Sequence, residues 1–297
     1  MYYEMLKSAY WYPTEIVAFA DVLKNQSSCN AFYSNIKVHC HIKVLKQETW
    51  INKNFPYLTH SQARLNIKHK SAWSHKKVLC VQNLGCVSVF RIRPTNGVMI
   101  CTAPIFSVQS FSDFINHYKM LGINSMTFYS THEKFDLPQK DNTTTIVRWA
   151  QLKTPKYWHG DGTTFYYSQA NAYNDCLHRN LGKILLFVDR DDLIITKPPK
   201  SLPNILNTFK KSKYNAIYIQ WILFPCMNLT RTYKGHDSTS IWNNFSYYKN
   251  FTNTKVIVKS NRNIEMGIHS LFSRNPVQRV STIIAMHKRS YSGIICR

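Results

Sequence analysis

Acidic residues are scarce in this chain of 297 residues: 15 Asp and Glu stand against 38 Lys and Arg, a formal net charge of +23. Glycine and proline are scarce too, at 9 and 11 positions, which excludes a collagenous or low-complexity chain. No long hydrophobic run occurs. The longest uncharged stretch, Pro94 to Ser112, contains Pro, Asn, Gln and several Ser, whereas a membrane span needs about 20 predominantly apolar residues. Glu4, Lys7, Glu15 and Asp21 interrupt any apolar segment near the N-terminus, so neither a signal peptide nor a membrane anchor is visible. No CxxC pair occurs among Cys29, Cys40, Cys80, Cys86, Cys101, Cys176, Cys226 and Cys296, which removes zinc ribbons and thioredoxin-like sites. What is present is a globular composition, 44% hydrophobic and 14% aromatic, with ample material for a core.

The basic excess is diffuse. Residues 1–95 hold 13 basic and 4 acidic side chains, residues 96–297 hold 25 and 11. No basic tail marks a nucleic-acid arm, so a nucleic-acid-binding protein is a remote alternative and no nucleic-acid partner is expected. Five sequons, at Asn25, Asn142, Asn228, Asn244 and Asn250, permit a luminal location without arguing for it. The run His39-Cys40-His41 reads as a strand, with both imidazoles on one face and Cys40 on the other.

Residues 1–95 read as a β-rich region, with strand patterns at Ser8 to Tyr12, Asn35 to Val44 and Val78 to Arg93, and a loop with short elements over Lys46 to Lys77. The turn cluster Arg93 to Gly97 is the expected boundary. After it, strands and helices alternate. Val98 to Ala103 is a strand, Asp113 to Leu121 a helix stopped by Gly122, and Ser125 to Tyr129 and Thr144 to Trp149 two more strands. A helix from about Thr164 to Asn180 precedes Gly182, and the fully apolar Ile184 to Val188 belongs inside a sheet. This order predicts an α/β fold with an open, mainly parallel central sheet flanked by helices, whose ligands bind beyond the carboxyl ends of its strands.

At the end of that apolar strand stand Asp189-Arg190-Asp191-Asp192, three of the 15 acids in four positions. In extended geometry Asp189 and Asp191 point to one side. Two carboxylates there repel unless a cation joins them, and an all-oxygen set suits Mg²⁺ or Mn²⁺. The plainer reading is an acidic turn paired with a nearby Lys or Arg.

The residues resemble glycosyltransferase family 92. The resemblance is carried by Cys101 to Phe106, by Phe114-Ile115-x-x-Tyr118-x-x-Leu121-Gly122-Ile123 with Phe128-Tyr129, and by Trp149. Its most specific part is Gln169-x-x-Ala172-Tyr173-Asn174-Asp175-Cys176-Leu177-x-Arg179 followed by Asp189-x-Asp191-Asp192. Lys255 to Val258, Gly267-Ile268-His269, Ala285 to Arg289 and Ser8-Ala9-Tyr10 add weaker pieces, so that it covers roughly residues 6–290.

The resemblance implies a GT-A-like glycosyltransferase catalytic domain over 96–297, preceded by the β-rich region 1–95. It implies transfer of a sugar, galactose favoured, from a nucleotide sugar such as UDP-galactose to a glycan hydroxyl, with inversion. It also implies a Golgi or secretory-pathway lumen, with membrane association in the family. Mn²⁺, with Mg²⁺ as the alternative, would be held by Asp189 and Asp191 with His269 or His287, and would act as a Lewis acid on the departing diphosphate. Gln169, Asp175 and Arg289 join Asp189 and Asp191 as donor-binding candidates. Asp192, Asp237 and Glu265 are the candidate bases for the acceptor proton, Asp237 slightly favoured. Trp149, Trp158 and Trp221 are candidates for stacking on sugar, with core packing as the default. A catalytically inactive glycan-binding relative of the same fold is the first alternative.

Overall fold

A computed structural model describes residues 5–22, 27–52, 55–69, 77–92, 94–102, 112–123, 125–130, 144–149, 168–189, 192–196, 201–225, 254–266, 271–272 and 277–289. Side chains are described within these except at 46–61, 112–113, 220–225, 254 and 271–289.

Seven strands form a closed barrel: β1 (Met5–Trp11), β2 (Glu15–Val22), β3 (Ser28–Tyr33), β4 (Ile36–Asn52), β5 (Phe55–Lys68), β6 (Val78–Val81) and β7 (Gly85–Arg91), in the order β1-β2-β5-β4-β3-β6-β7. Parallel pairing of β1 with β7, Ala9 opposite Val89, closes it. Closure removes the sheet edges that would otherwise invite pairing with another chain. Strand β2 shows why the barrel has neighbours. Ile16, Ala18, Ala20 and Val22 face the barrel core, and Val17 and Phe19 are buried in a separate cluster with Tyr10, Tyr12 and Leu181. The span Lys46 to Lys77, expected as loop, is in part a long β4–β5 hairpin. Its outer part, residues 47–60, pairs only across the hairpin, so no core face imposes an alternating pattern on it. Cys29 pairs with Cys40 and Cys80 with Cys86, each linking adjacent barrel strands. As expected for a strand, His39 and His41 share the outer face, their rings 4.9 Å apart, while Cys40 points inward.

The second body is an eight-stranded sheet. It contains β8 (Val98–Thr102), β9 (Met126–Ser130), β10 (Thr144–Arg148), β11 (Ile184–Val188), β12 (Asp192–Thr196), β13 (Ala216–Pro225), β14 (Thr254–Lys259) and β17 (Val277–Arg289), in the order β10-β9-β8-β11-β14-β13-β17-β12. A separate two-stranded ribbon pairs β15 (Glu265–Met266) with β16 (Leu271–Phe272). Three helices are described: α1 (Ser112–Met120), α2 (Gln169–Arg179) and α3 (Leu202–Lys211). None is long and apolar enough to cross a membrane.

This corrects the expected fold class. The chain is mostly β, with a closed barrel and a mixed sheet, and is not an α/β GT-A-like fold built on a mainly parallel sheet. The parallel pairs β10–β9, β9–β8 and β8–β11 coincide with the stretch where strands and helices alternate. Beyond β11 the pairs β11–β14, β14–β13 and β17–β12 are antiparallel and only β13–β17 is parallel. Antiparallel neighbours need no helical crossover, and the alternation of the middle third does not extend to the rest of the chain.

At its centre, strand β11 is buried on both faces. Ile184, Leu186 and Val188 pack with Phe114, Tyr118, Leu202, Leu206 and Phe209 of α1 and α3. Leu185 and Phe187 pack with Tyr173, Cys176 and Leu177 of α2. Helix α2 thus lies between sheet and barrel, and Ala170 through His178 are all buried. The disulfide Cys101–Cys176 ties it to β8. Gly182 makes the turn from α2 into β11 at φ +83°, and a Cβ there would stand 2.7 Å from the Thr95 carbonyl of the segment joining barrel to sheet. Only three residues separate β11 from β12, yet three strands stand between them in the sheet. A flat sheet would put them ~19 Å apart at ~4.8 Å per spacing, whereas Asp192 N donates to Asp189 O at 3.0 Å. The sheet therefore curls over at the carboxyl end of β11.

Candidate functional site

The four parallel strands end along one edge, with Trp149, Ser130, Thr102 and Asp189 at or just beyond their last residues. Asp189 follows the fully buried β11 and lies against Asp192, the first residue of β12. Asp192 N donates to Asp189 O at 3.0 Å, and Asp189 N donates to Asp192 Oδ2 at 2.7 Å. The two acids brace each other's backbone.

A lysine from the antiparallel neighbour joins them. Lys255 Nζ lies 2.5 Å from Asp189 Oδ2 and 2.7 Å from Asp192 Oδ2. The Lys255 and Asp192 side chains are 2% and 0% exposed, the Asp189 side chain 25%. Burial alone would depress the ammonium's pKa; the Asp189 and Asp192 carboxylates override it and hold the group above its ordinary range. Helix α2 supplies the remaining donors. Tyr173 Oη donates to Asp189 Oδ1 at 3.2 Å, Gln169 Nε2 donates to the same oxygen at 3.3 Å, and Gln169 Nε2 also donates to Tyr173 Oη at 2.9 Å. Burial, with the Asp189 charge next, pushes the Tyr173 phenol well above its usual pKa, so it stays a donor.

The fit of a divalent ion follows from these contacts. Both Asp189 oxygens already accept from protein donors, and the cation between Asp189 and Asp192 is an ammonium. Among the described residues no three His, Cys, Asp or Glu side chains are grouped to hold a metal. As they stand, the described carboxylates do not fit a directly ligated Mn²⁺ or Mg²⁺. Asp191, Asp237, His269 and Trp158 lie outside the described residues, as do Cys226 and Cys296. His287 and Arg289 lie in β17, where His287 pairs with Asp192 of β12 and Arg289 with Pro225 of β13. Trp221 lies in β13; neither its side chain nor those of His287 and Arg289 are described.

Gln169, Asp189 and Asp192 are therefore brought together; Asp175 and Glu265 are placed elsewhere. The fully buried Asp175 accepts from Tyr10 Oη, from Tyr129 Oη at 2.6 Å and from Arg179 Nε at 3.2 Å. Burial and then the Asp175 charge raise both tyrosine pKa values. Glu265 meets two barrel cations, Lys43 Nζ at 2.5 Å and Arg64 Nη1 at 2.9 Å. Next to it, Asn174 of α2 pairs like a strand residue with Met266, through Nδ2 to O at 2.7 Å and from Met266 N to Oδ1 at 2.9 Å. Trp149 is 3% exposed and packs edge-on against Tyr129, with ring centroids 5.1 Å apart, in agreement with the default of core packing.

Lys255, Tyr173, Tyr129 and Tyr10 are the residues whose roles sequence reasoning missed. Lys255 carried a signal: it heads the apolar run Val256-Ile257-Val258, and a lysine in a buried strand is almost never without a partner.

With the geometry in place, comparison with known proteins gives the class first. The segment 96–289, about two-thirds of the chain and including the whole strand-end cluster, matches a glycosyltransferase sequence model. The family is Glycosyltransferase family 92, and the chain belongs to it. A search of curated proteins found no match. Membership makes the general partners a nucleotide-sugar donor and a glycan acceptor.

Proposed function

We propose that this chain transfers a hexose, galactose favoured, from a UDP-sugar to a glycan hydroxyl with inversion, at the carboxyl end of β11. The observation that carries the reading is the strand-end cluster. Asp189, Asp192, Lys255, Gln169 and Tyr173 converge at the sheet edge where open sheets bind ligands, within the segment matched to the family.

In inversion the acceptor oxygen forms the new bond at C1 while the bond to the diphosphate breaks, and a base receives the acceptor proton. The Asp192 and Glu265 side chains are 0% and 8% exposed and are already engaged by Lys255 and Arg64, which leaves neither carboxylate open to an acceptor hydroxyl. This supports Asp237 as the base. Asp189, aligned by Tyr173 and Gln169, orients the donor. Arg289 and Asp175 complete the donor-side set, Asp175 by holding α2 in place. A Mn²⁺ or Mg²⁺ requirement belongs to the proposal through Asp191, His269 and His287. A secretory-pathway lumen, such as the Golgi, is the proposed location; three disulfide pairs favour it, since disulfides persist in oxidising compartments.

The engagement of both Asp189 oxygens favours a second reading, an inactive glycan-binding relative. A donor screen separates the two. UDP-galactose with mixed glycan acceptors should give a product in the wild type, reduced about 100-fold or more in Asp189→Asn on the scale of losing a key electrostatic contact. Glycan binding with neither transfer nor donor hydrolysis, with or without Mn²⁺, would establish the second.

A further inference from the structure

Among the described residues one cation, the ammonium of Lys255, joins Asp189 and Asp192. Lys255 Nζ contacts Oδ2 of each, at 2.5 and 2.7 Å. Lys255 immediately precedes Val256, the ladder partner of Phe187, so its backbone reaches the level at which β11 ends. Asp192 Oδ2 takes both this ammonium and the Asp189 amide, so the ion triad and the backbone turn share an atom. Two carboxylates this close repel unless a cation joins them, and their oxygens match the donor set of hard divalent ions.

We propose that Lys255 is the built-in counter-ion of the Asp189–Asp192 pair. It occupies the place where paired carboxylates otherwise recruit a divalent cation, and it holds the end of β11 against the start of β12. Lys255 is a positioning residue: it acts through the two aspartates. The inference concerns the same site as the proposed transfer reaction, but its main test does not depend on transferase activity.

Lys255→Met leaves the two carboxylates without their ammonium and should convert the pair into a divalent-cation site. Free Mn²⁺ is followed by electron paramagnetic resonance during titration of the whole chain. The expected result is one more bound Mn²⁺ equivalent in Lys255→Met than in wild type. That equivalent should be absent in Lys255→Arg, which keeps the charge, and lost in Lys255→Met combined with Asp192→Asn. A melting temperature that rises with Mn²⁺ more steeply in Lys255→Met than in wild type is the matching thermal readout. Equal Mn²⁺ stoichiometry and equal thermal response in wild type and Lys255→Met overturn the proposal.

If Lys255→Met does not fold, urea unfolding of Lys255→Gln, Asp192→Asn and their combination decides. A double variant less destabilised than the sum of the singles supports the shared ion triad, and additive losses overturn it. Failure of the transfer reading alone would appear as an inactive wild type whose Mn²⁺ counts still follow these expectations.

Discussion

Helix α2 carries Asp175 and reaches Asp189, and the two aspartates are built differently. Asp175 is sealed: its side chain is 0% exposed, two tyrosine hydroxyls from barrel and sheet reach it, and Arg179 lies beside it. Asp189 also has a tyrosine donor and a cation, yet its side chain is 25% exposed at the edge where the parallel strands end. The first arrangement is a clamp, joining β1, β9 and α2 through one carboxylate. The second keeps one side open, which a donor-binding group requires. The difference teaches that a motif-matched acid is assigned by what encloses it: Asp175 holds the helix that aims Gln169 and Tyr173, while Asp189 receives them.

The largest stability effect is expected at the clamp. Asp175→Asn leaves Arg179 without its carboxylate and two buried hydroxyls without their anion, a loss of about 3–5 kcal/mol on the scale of a broken buried pair. Tyr129→Phe removes one donor and should cost about 1–2 kcal/mol. Asp189→Asn, partly exposed, should cost less in stability than Asp175→Asn while losing transfer activity. Urea unfolding of the three variants beside donor turnover checks the contrast; equal stability losses at the two aspartates would erase it.

A smaller effect follows pH. His178 of α2 is buried against the barrel, stacked on Tyr10, with Nδ1 2.6 Å from Tyr12 Oη and no hydrogen-bond partner for Nε2 among the described residues. Burial, with the Arg64 charge adding to it, pushes its pKa from 6.5 down to about 3. The imidazole is neutral in the fold and protonates first in the unfolded chain. Stability is therefore full above pH 6.5 and falls as pH drops toward 3, by about 1.4 kcal/mol per pH unit and about 2 kcal/mol by pH 5. His178→Gln should flatten this slope between pH 7 and 5 in thermal unfolding. A slope unchanged by the substitution would show that other groups set it.

The middle third of the fold was legible because each element carried its own signal. The run Ile184 to Val188 is buried on both faces, as a fully apolar segment implies, and Gly122 and Gly182 follow their helices at positive φ. The architecture was not legible. Barrel closure depends on the pairing of β1 with β7, about 80 residues apart, and no local pattern encodes such a contact. The mixed pairing beyond β11 was hidden for the same reason. At the site, three crowded acids drew attention to β11, but their counter-ion came from β14, 66 residues later in the chain. Motif matching found Gln169 and Asp175 on one helix without distinguishing their neighbours. What separates them is Tyr10 of the barrel and Lys255 of the sheet, both distant in sequence.

The finest division lies between the two ion pairs of one carboxylate. Glu265 meets Lys43, whose side chain is 57% exposed, and Arg64, whose side chain is 9% exposed. The exposed ammonium competes with water and salt, so Lys43→Ala should cost at most about 1 kcal/mol, and the difference should vanish in 1 M NaCl, where the screening length is about 3 Å. Arg64 also donates from Nε to Asn66 Oδ1 at 2.9 Å and is enclosed by barrel and ribbon, so Arg64→Ala should cost more and resist salt. If Glu265 serves only to dock the β15–β16 ribbon on the barrel, Lys43→Ala leaves transfer activity and its pH profile unchanged. A shifted pH profile in Lys43→Ala would instead return Glu265 to the place of the base and displace Asp237.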